Sequence, residues 1–402
     1  MLNGNIMIGQ SGGPTAAINA TLRGVIEGAR SCENITGIIG CQNGIEGVLY
    51  EKFANLEETF EDERNLRLLS ATPSAYLGSC RYKLPSDFEH EDYKKIFDVF
   101  EKMNIKFFLY IGGNDSMDTV HKLSSYAVEN NHEINIVGVP KTIDNDLAIT
   151  DHCPGYGSAA KYIATTVKEI ACDSAVYDID SVTIVEIMGR NSGWLTAASV
   201  LARAGRGRAP HLIYLPERPF CIENFLADIK KVPARNVVVA ISEGIRDKDG
   251  KYICDAVSSG VVDVFGHKML SGAGKVLEGI VRDRLGIKAR SIEINTPQRC
   301  ASHTASLTDL TESIQIGRAG TLAASGGQTG VMMFFKRVAK YEIEISSKSI
   351  AEIANVEKTV PDDFISPEGN DITRHFIDYA LPLIMGEPYI EYENGVPVHI
   401  TL

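Results

Sequence analysis

"KFFLYIGGNDSMDTVHKLSSYAVEN" (106–130) decides the fold. An apolar run, Phe107 to Ile111, ends in Gly112-Gly113, and a stretch with helical periodicity follows. A strand that turns through glycines into a helix leaves backbone N–H groups at the turn. The helix N-terminus there favours anions. The same order recurs along the chain. Strands are expected at 5–10, 35–40, 106–113, 134–140, 181–189, 211–217, 236–244 and 289–295. Helices are expected at 14–30, 116–130, 157–173, 195–205 and 272–286. Strands this apolar are covered on both faces, and their alternation with helices means βαβ units. The fold class is α/β: two doubly wound domains with mostly parallel sheets.

At 402 residues, two domains of ordinary size are the natural expectation. One domain is expected from 1–156 plus about 304–345. The other is expected from 157–303 plus about 346–402. Residues 51–104 are charged and helix-prone and read as an insertion or flap. The net charge of −12 argues against a nucleic-acid partner. No segment has the apolar length of a membrane span, and "MLNGNIMIGQ" lacks the features of a signal peptide. Eight scattered cysteines without a C-x-x-C pair suit reduced thiols, so the expected location is cytoplasmic.

In doubly wound sheets ligands gather at the C-terminal strand ends. Five polar or glycine-rich stretches fall there: "SGGPTAA", "GGNDS", "PKTIDND", "MGRNSGW" and "SEG". Each alone is an ordinary turn; together they point to one phosphate-handling cleft. "GQSGG" (9–13) fits G-x-S-x-G, but too little chain precedes it for a nucleophile elbow. Gly12 and Gly13 suit close approach of backbone to phosphate, with Pro14 in the first helical turn. In "VPKTIDND" (139–146), Asp144 and Asp146 share a face if the segment is extended, so one can take a proton from a hydroxyl while the other tunes it. Lys141 adds a cation. Arg190 suits bidentate phosphate contact, Glu243 suits sugar hydroxyls, and Arg290 and Arg299 suit a dianionic phosphate.

These motifs, with "LGSCR" (77–81) and "PQR" (297–299), resemble the phosphofructokinase family over roughly residues 5–330. The resemblance implies two Rossmann-like domains with the site in the cleft between them, the first binding the phosphoryl donor and the second the sugar phosphate, and phosphoryl transfer to the 1-hydroxyl of fructose 6-phosphate. It implies Asp144 as base, assisted by Asp146, with Arg190 bridging the reacting phosphates. Thr142, Ile143, Met188, Gly189, Glu243, Arg290, Thr296, Gln298 and Arg299 would hold the sugar phosphate. Gly12, Arg81 and Gly113 would hold the donor, with Mg²⁺ at Asn114. It also implies a homodimer or homotetramer.

Within the family, ATP users resemble "GGDGS" and "PGTIDND", and pyrophosphate users resemble "GGDDS" and "PKTIDND". Here Asp115 and Lys141 both take the pyrophosphate form. A carboxylate at 115 would repel the place of ATP's α-phosphate. A lysine at 141 would put positive charge beside the transferred phosphoryl. Asn114 stands where the family usually has Asp. Ser181 and Thr296 stand where bacterial ATP enzymes carry Arg and His. An ATP-dependent phosphofructokinase and a non-catalytic sugar-phosphate binding protein are the alternatives.

Overall fold

The computed structural model describes residues 2–205, 207–256, 272–353 and 356–402. Its first five strands are β1 (Gly4–Gln10), β2 (Ile35–Cys41), β3 (Phe53–Asn55), β4 (Ile105–Gly112) and β5 (Asn135–Pro140). Four more follow: β6 (Ser181–Ile187), β7 (Leu212–Tyr214), β8 (Asn236–Ser242) and β9 (Lys288–Glu293). The chain then returns with β10 (Val331–Ala339) and β11 (Glu342–Ser349). The larger sheet has the order β11-β10-β5-β4-β1-β2-β3, and the smaller β7-β8-β6-β9. The second sheet is parallel throughout. In the first, only the edge strands β3 and β11 run antiparallel to their neighbours.

Each sheet is covered on both faces, as its Val- and Ile-rich strands require. Phe108, Tyr110 and Ile136 of the first sheet point into one apolar cluster, and Ile6, Ile8, Phe107 and Leu109 into another. In the second sheet Val185, Ile187 and Ala240 face a cluster that includes Trp194, and Val182, Ile184 and Val239 face the opposite one. The late segments divide between the two units. Ile316, Ala324, Met333 and Phe335 complete a face of the first sheet. Phe376, Ala380 and Leu383 complete a face of the second.

Two expectations change. Residues 51–104 are not a flap. β3 extends the first sheet, Phe60, Leu66 and Leu69 fill one of its cores, and Tyr93, Ile96, Phe97 and Phe100 fill the other. Their apolar residues sit at helical spacing within charged stretches, so the charge marks only the outer face. The first helix starts at Ile18 rather than Pro14. The Thr15 hydroxyl accepts from the N–H groups of Ala17 and Ile18 at 3.1 and 2.8 Å, leaving Ser11–Pro14 as an open loop.

Strand register sets the working edge. Gln10 pairs with Ile111, and Gly112 with Pro140, so β1, β4 and β5 end together. In the second sheet Ile187 pairs with Ser242, and Glu186 with Glu293. All the loops that follow these ends carry the polar motifs.

Candidate active site

The loops meet in a cavity of about 690 Å³. The first unit contributes Gly12, Arg81, Gly113, Asn114, Asp115, Lys141, Thr142, Ile143, Asp144 and Asp146. The second contributes Met188, Gly189, Arg190, Glu243 and Arg299. The size suits a pair of small phosphorylated ligands.

The glycine turn after β4 is built for close contact. A Cβ on Gly112 would lie 2.0 Å from Ser116 Oγ, inside any tolerable separation. The helix begins at Asn114, with Gly113 as its N-cap, so Asn114 and Asp115 occupy its first turn. The Asn114 amide donates to Val356 O at 3.3 Å. The Asp115 carboxylate thus sits at the positive end of the helix and faces the cavity.

Lys141 follows β5 and is almost fully buried, 2% exposed. Its N–H donates to Gly112 O at 2.9 Å, and its Nζ donates to Gly13 O at 2.6 Å, so one residue joins two phosphate-type loops. Burial pushes its pKa down to about 8, against the pull of Asp144 and Asp146; Arg299 adds to the lowering.

The Asp pair departs from its expected geometry. Asn145 has φ of +54°, so 144–146 is not extended, and the two carboxylates do not share a strand face. The Asn145 side chain locks the kink. Its Nδ2 donates to the Tyr379 hydroxyl at 2.8 Å, and its Oδ1 accepts from Cys153 N at 2.9 Å. Both carboxyls are nevertheless half-buried and close enough to feel each other's charge. Burial raises Asp144 to about 7, with Asp146 raising it further and Arg190 and Lys141 opposing. Burial also raises Asp146, offset by hydrogen bonds that include one from Thr142. Two carboxyls so close do not both ionise readily, so one is held ready to accept a proton near neutral pH.

On the opposite wall, Gly189 has φ of +139°, and a Cβ there would lie 2.4 Å from Ser192 O. That turn presents Arg190. The Gly189 N–H donates to Glu243 Oε1 at 3.2 Å. Burial raises Glu243 to about 7, with the Gly189 hydrogen bond opposing. Arg190 Nε and Arg299 Nε are buried without a hydrogen-bond partner among the described residues. Guanidinium N–H groups left so inside a cavity suit an incoming phosphate oxygen.

Three sequence candidates do not line this cavity. Arg290 lies mid-strand on β9, where it pairs with Asp173 at 2.7 Å and reaches Thr183 and Ser174. Thr296 is exposed. Gln298 is buried behind the Met188 turn, and its Oε1 accepts from Met188 N at 3.2 Å. Lys83, Asn191, Ser192 and Glu357 also line the cavity, and none of them was singled out as a site residue. Asn191 and Ser192 lie within the "MGRNSGW" motif, and Lys83 lies two residues past "LGSCR". Glu357 lies in the C-terminal stretch, where no local pattern marks it.

A phosphofructokinase family model matches residues 5–293. The chain belongs to the phosphofructokinase family. It is 41% identical to a pyrophosphate–fructose 6-phosphate 1-phosphotransferase of Xanthomonas campestris pv. campestris (strain B100), covering 100% of this chain and 97% of that protein. A protein of the same name from Methylococcus capsulatus is 40% identical, covering 99% and 96%. The solved structure of a pyrophosphate-dependent phosphofructokinase from Nitrosospira multiformis superposes with a TM-score of 0.88 at 35% identity, covering 99% of this chain and 96% of that one. Among the described residues no helix is long and apolar enough to cross a membrane.

Proposed function

We propose that this phosphofructokinase-family chain transfers a phosphoryl group from pyrophosphate to the 1-hydroxyl of D-fructose 6-phosphate. The products are fructose 1,6-bisphosphate and phosphate, the reaction is reversible, and it serves glycolysis. The observation that carries this reading is the joint presence of Asp115, Lys141 and Asp144 in one cavity. The similar proteins named for this reaction, from Xanthomonas and Methylococcus, support it.

Asp144 accepts the proton of the 1-hydroxyl as its oxygen attacks the terminal phosphorus. Its raised pKa suits that role at neutral pH. Asp146 sits beside it and sets its proton affinity. Lys141 and Arg190 stabilise the charge that builds on the transferred phosphoryl. Arg299 holds the sugar phosphate, and Glu243, Thr142, Ile143, Met188 and Gly189 shape the sugar pocket. Gly12, Arg81 and Gly113 hold the donor. Asp115 excludes a nucleotide by placing fixed negative charge where a third phosphate would lie.

The donor set also fits Mg²⁺. Among the described residues no group of three or more His, Cys, Asp or Glu could form an all-protein metal cage. Mg²⁺ is commonly held by one or two protein oxygens, waters and substrate phosphates. Asn114 would hold it that way, and it would neutralise charge on the bound pyrophosphate. Membership of the phosphofructokinase family favours a homodimer or homotetramer. The absence of disulfides among the described residues suits a cytoplasmic enzyme.

The test is turnover of the purified protein with fructose 6-phosphate and Mg²⁺, using pyrophosphate or ATP. Product with pyrophosphate alone is expected. Product with ATP and not pyrophosphate would overturn the choice of donor.

A further inference from the structure

The C-terminal stretch around residue 358 lies beyond the residues matched by the family model, yet it touches the loop that carries the Asp pair. Leu147 and Glu357 form an antiparallel bridge, and Lys358 N donates to Asp146 O at 2.7 Å. The Lys358 side chain then turns inward. Its Nζ donates to Thr150 O at 2.9 Å and Asp151 O at 3.0 Å, and lies 5.0 Å from the centre of the Trp194 ring. The Trp194 Nε1 donates to Lys358 O at 3.0 Å. Two residues on, Val360 N donates to Glu217 Oε1 at 3.0 Å, and the same oxygen accepts from Gly193 N at 2.8 Å. The strap thus fastens the Asp144–Asp151 loop of the first unit to the 193–194 segment of the second.

We propose that Lys358 is a positioning residue for phosphoryl transfer. Its buried ammonium fixes the loop bearing Asp144 and Asp146 by holding the carbonyls of Thr150 and Asp151. The interior position is costly for a cation. Burial lowers its pKa, while Cys153, Asp151 and Asp146 pull it back up. A lysine kept charged here is compensated by what it holds: two carbonyls, an aromatic face and nearby carboxyls. Lys358 touches no cavity surface, so its effect must pass through the loop. A further contact of the strap, Glu357 to Asn191, consists of two 3.3 Å contacts at an exposed site and carries less.

The proposal rests on the functional reading above, and the test separates the two. Lys358→Met keeps the stem and removes the charge. Wild-type and variant chains are assayed with pyrophosphate and with ATP, and the variants with whichever donor the wild type uses. A wild type that uses only ATP overturns the donor reading and leaves this comparison intact. A displacement of the loop by about 1 Å costs about 100-fold in rate. The expected result is a loss of kcat of that order, with KM for both substrates within about threefold. Lys358→Arg is expected to recover part of it. Trp194 is the chain's single tryptophan, so its emission reports directly on the removal of the ammonium. The proposal predicts a shifted Trp194 emission in Lys358→Met together with a retained cooperative melting transition. A kcat within twofold of wild type overturns it, as does a loss that appears equally in KM. If Lys358→Met yields no folded protein, Lys358→Gln is read by the same outcomes.

Discussion

The most exacting prediction is the pH dependence of kcat/KM. Asp144 must be ionised to accept a proton, and its raised pKa of about 7 means that ionisation is complete only above that value. Lys141 must be charged to stabilise the transferred phosphoryl, and its lowered pKa of about 8 means that the charge is lost above it. The profile is therefore a narrow bell. With those two limbs, the doubly competent fraction peaks near pH 7.5 at about 0.6 and falls to about 0.09 at pH 6 and at pH 9. That is roughly a sevenfold drop on each side of the maximum. Initial rates of fructose 1,6-bisphosphate formation at subsaturating substrate would measure it. Ionisation of the substrates themselves is common to every variant, so the decisive quantity is the difference between chains. Lys141→Arg keeps its charge throughout this range and should lose the alkaline limb while retaining the acid one. An alkaline limb in Lys141→Arg that coincides with the wild-type limb would refute the assignment of Lys141. An acid limb below about pH 5 would refute the burial argument for Asp144.

Other expectations are simpler. Asp144→Asn should cost about 10²–10⁴-fold in kcat while leaving substrate affinity near normal, since only the proton acceptor is removed; a near-wild-type rate would place the base elsewhere. Asp115→Gly should admit ATP weakly, and Asp115→Gly with Lys141→Gly should turn it over. Failure of the double variant to bind ATP, by calorimetry, would remove the charge argument for residue 115. His152 is buried between Asp151 at 2.9 Å and Glu312 at 2.8 Å. Burial opposes its charge, but the two carboxylates outweigh it and raise its pKa. The imidazole's contribution to stability should therefore be complete below pH 6.5 and lost as pH rises through the higher folded value. His152→Ala leaves buried Glu312 without its cation, while Asp151 keeps Arg337 at 2.9 Å, and should destabilise by about 3 kcal/mol in denaturant unfolding; a change under about 1 kcal/mol would mean that the Tyr341 hydroxyl satisfies Glu312 well enough without it.

The parts of this molecule legible in its sequence are those written locally. Apolar runs such as Asn135–Pro140 announce buried strands, and the glycines at 112–113 mark a turn, because each signal lies within a few residues. Strand-end loops could be assigned to one edge for the same reason. What failed depends on contacts far apart in the chain. The kink at Asn145 is held by Tyr379, more than two hundred residues away. The core role of Phe97 and Phe100 was masked by the charges around them. Arg290 has the residue type expected of a phosphate ligand, but its mid-strand place turns it to Asp173 instead. Glu357 and Lys358 carry no motif, and their meaning comes wholly from the loop they meet.

The return of β10 and β11 to the first sheet bears on how the chain is made. Chains emerge from the ribosome N-terminus first, and domains generally fold as units. Here the first sheet has most of its strands by Pro140, but one of its faces is only partly covered, by Leu22, Val25, Phe60 and their neighbours, until the helix Leu307–Ser325 and β10 are synthesised. Through more than half of translation, Ile6, Ile8 and Leu109 have no complete cover. The unit that opens the sequence is thus among the last to be sealed, and the nascent chain must keep an apolar sheet face from sticking elsewhere until its own late helix arrives.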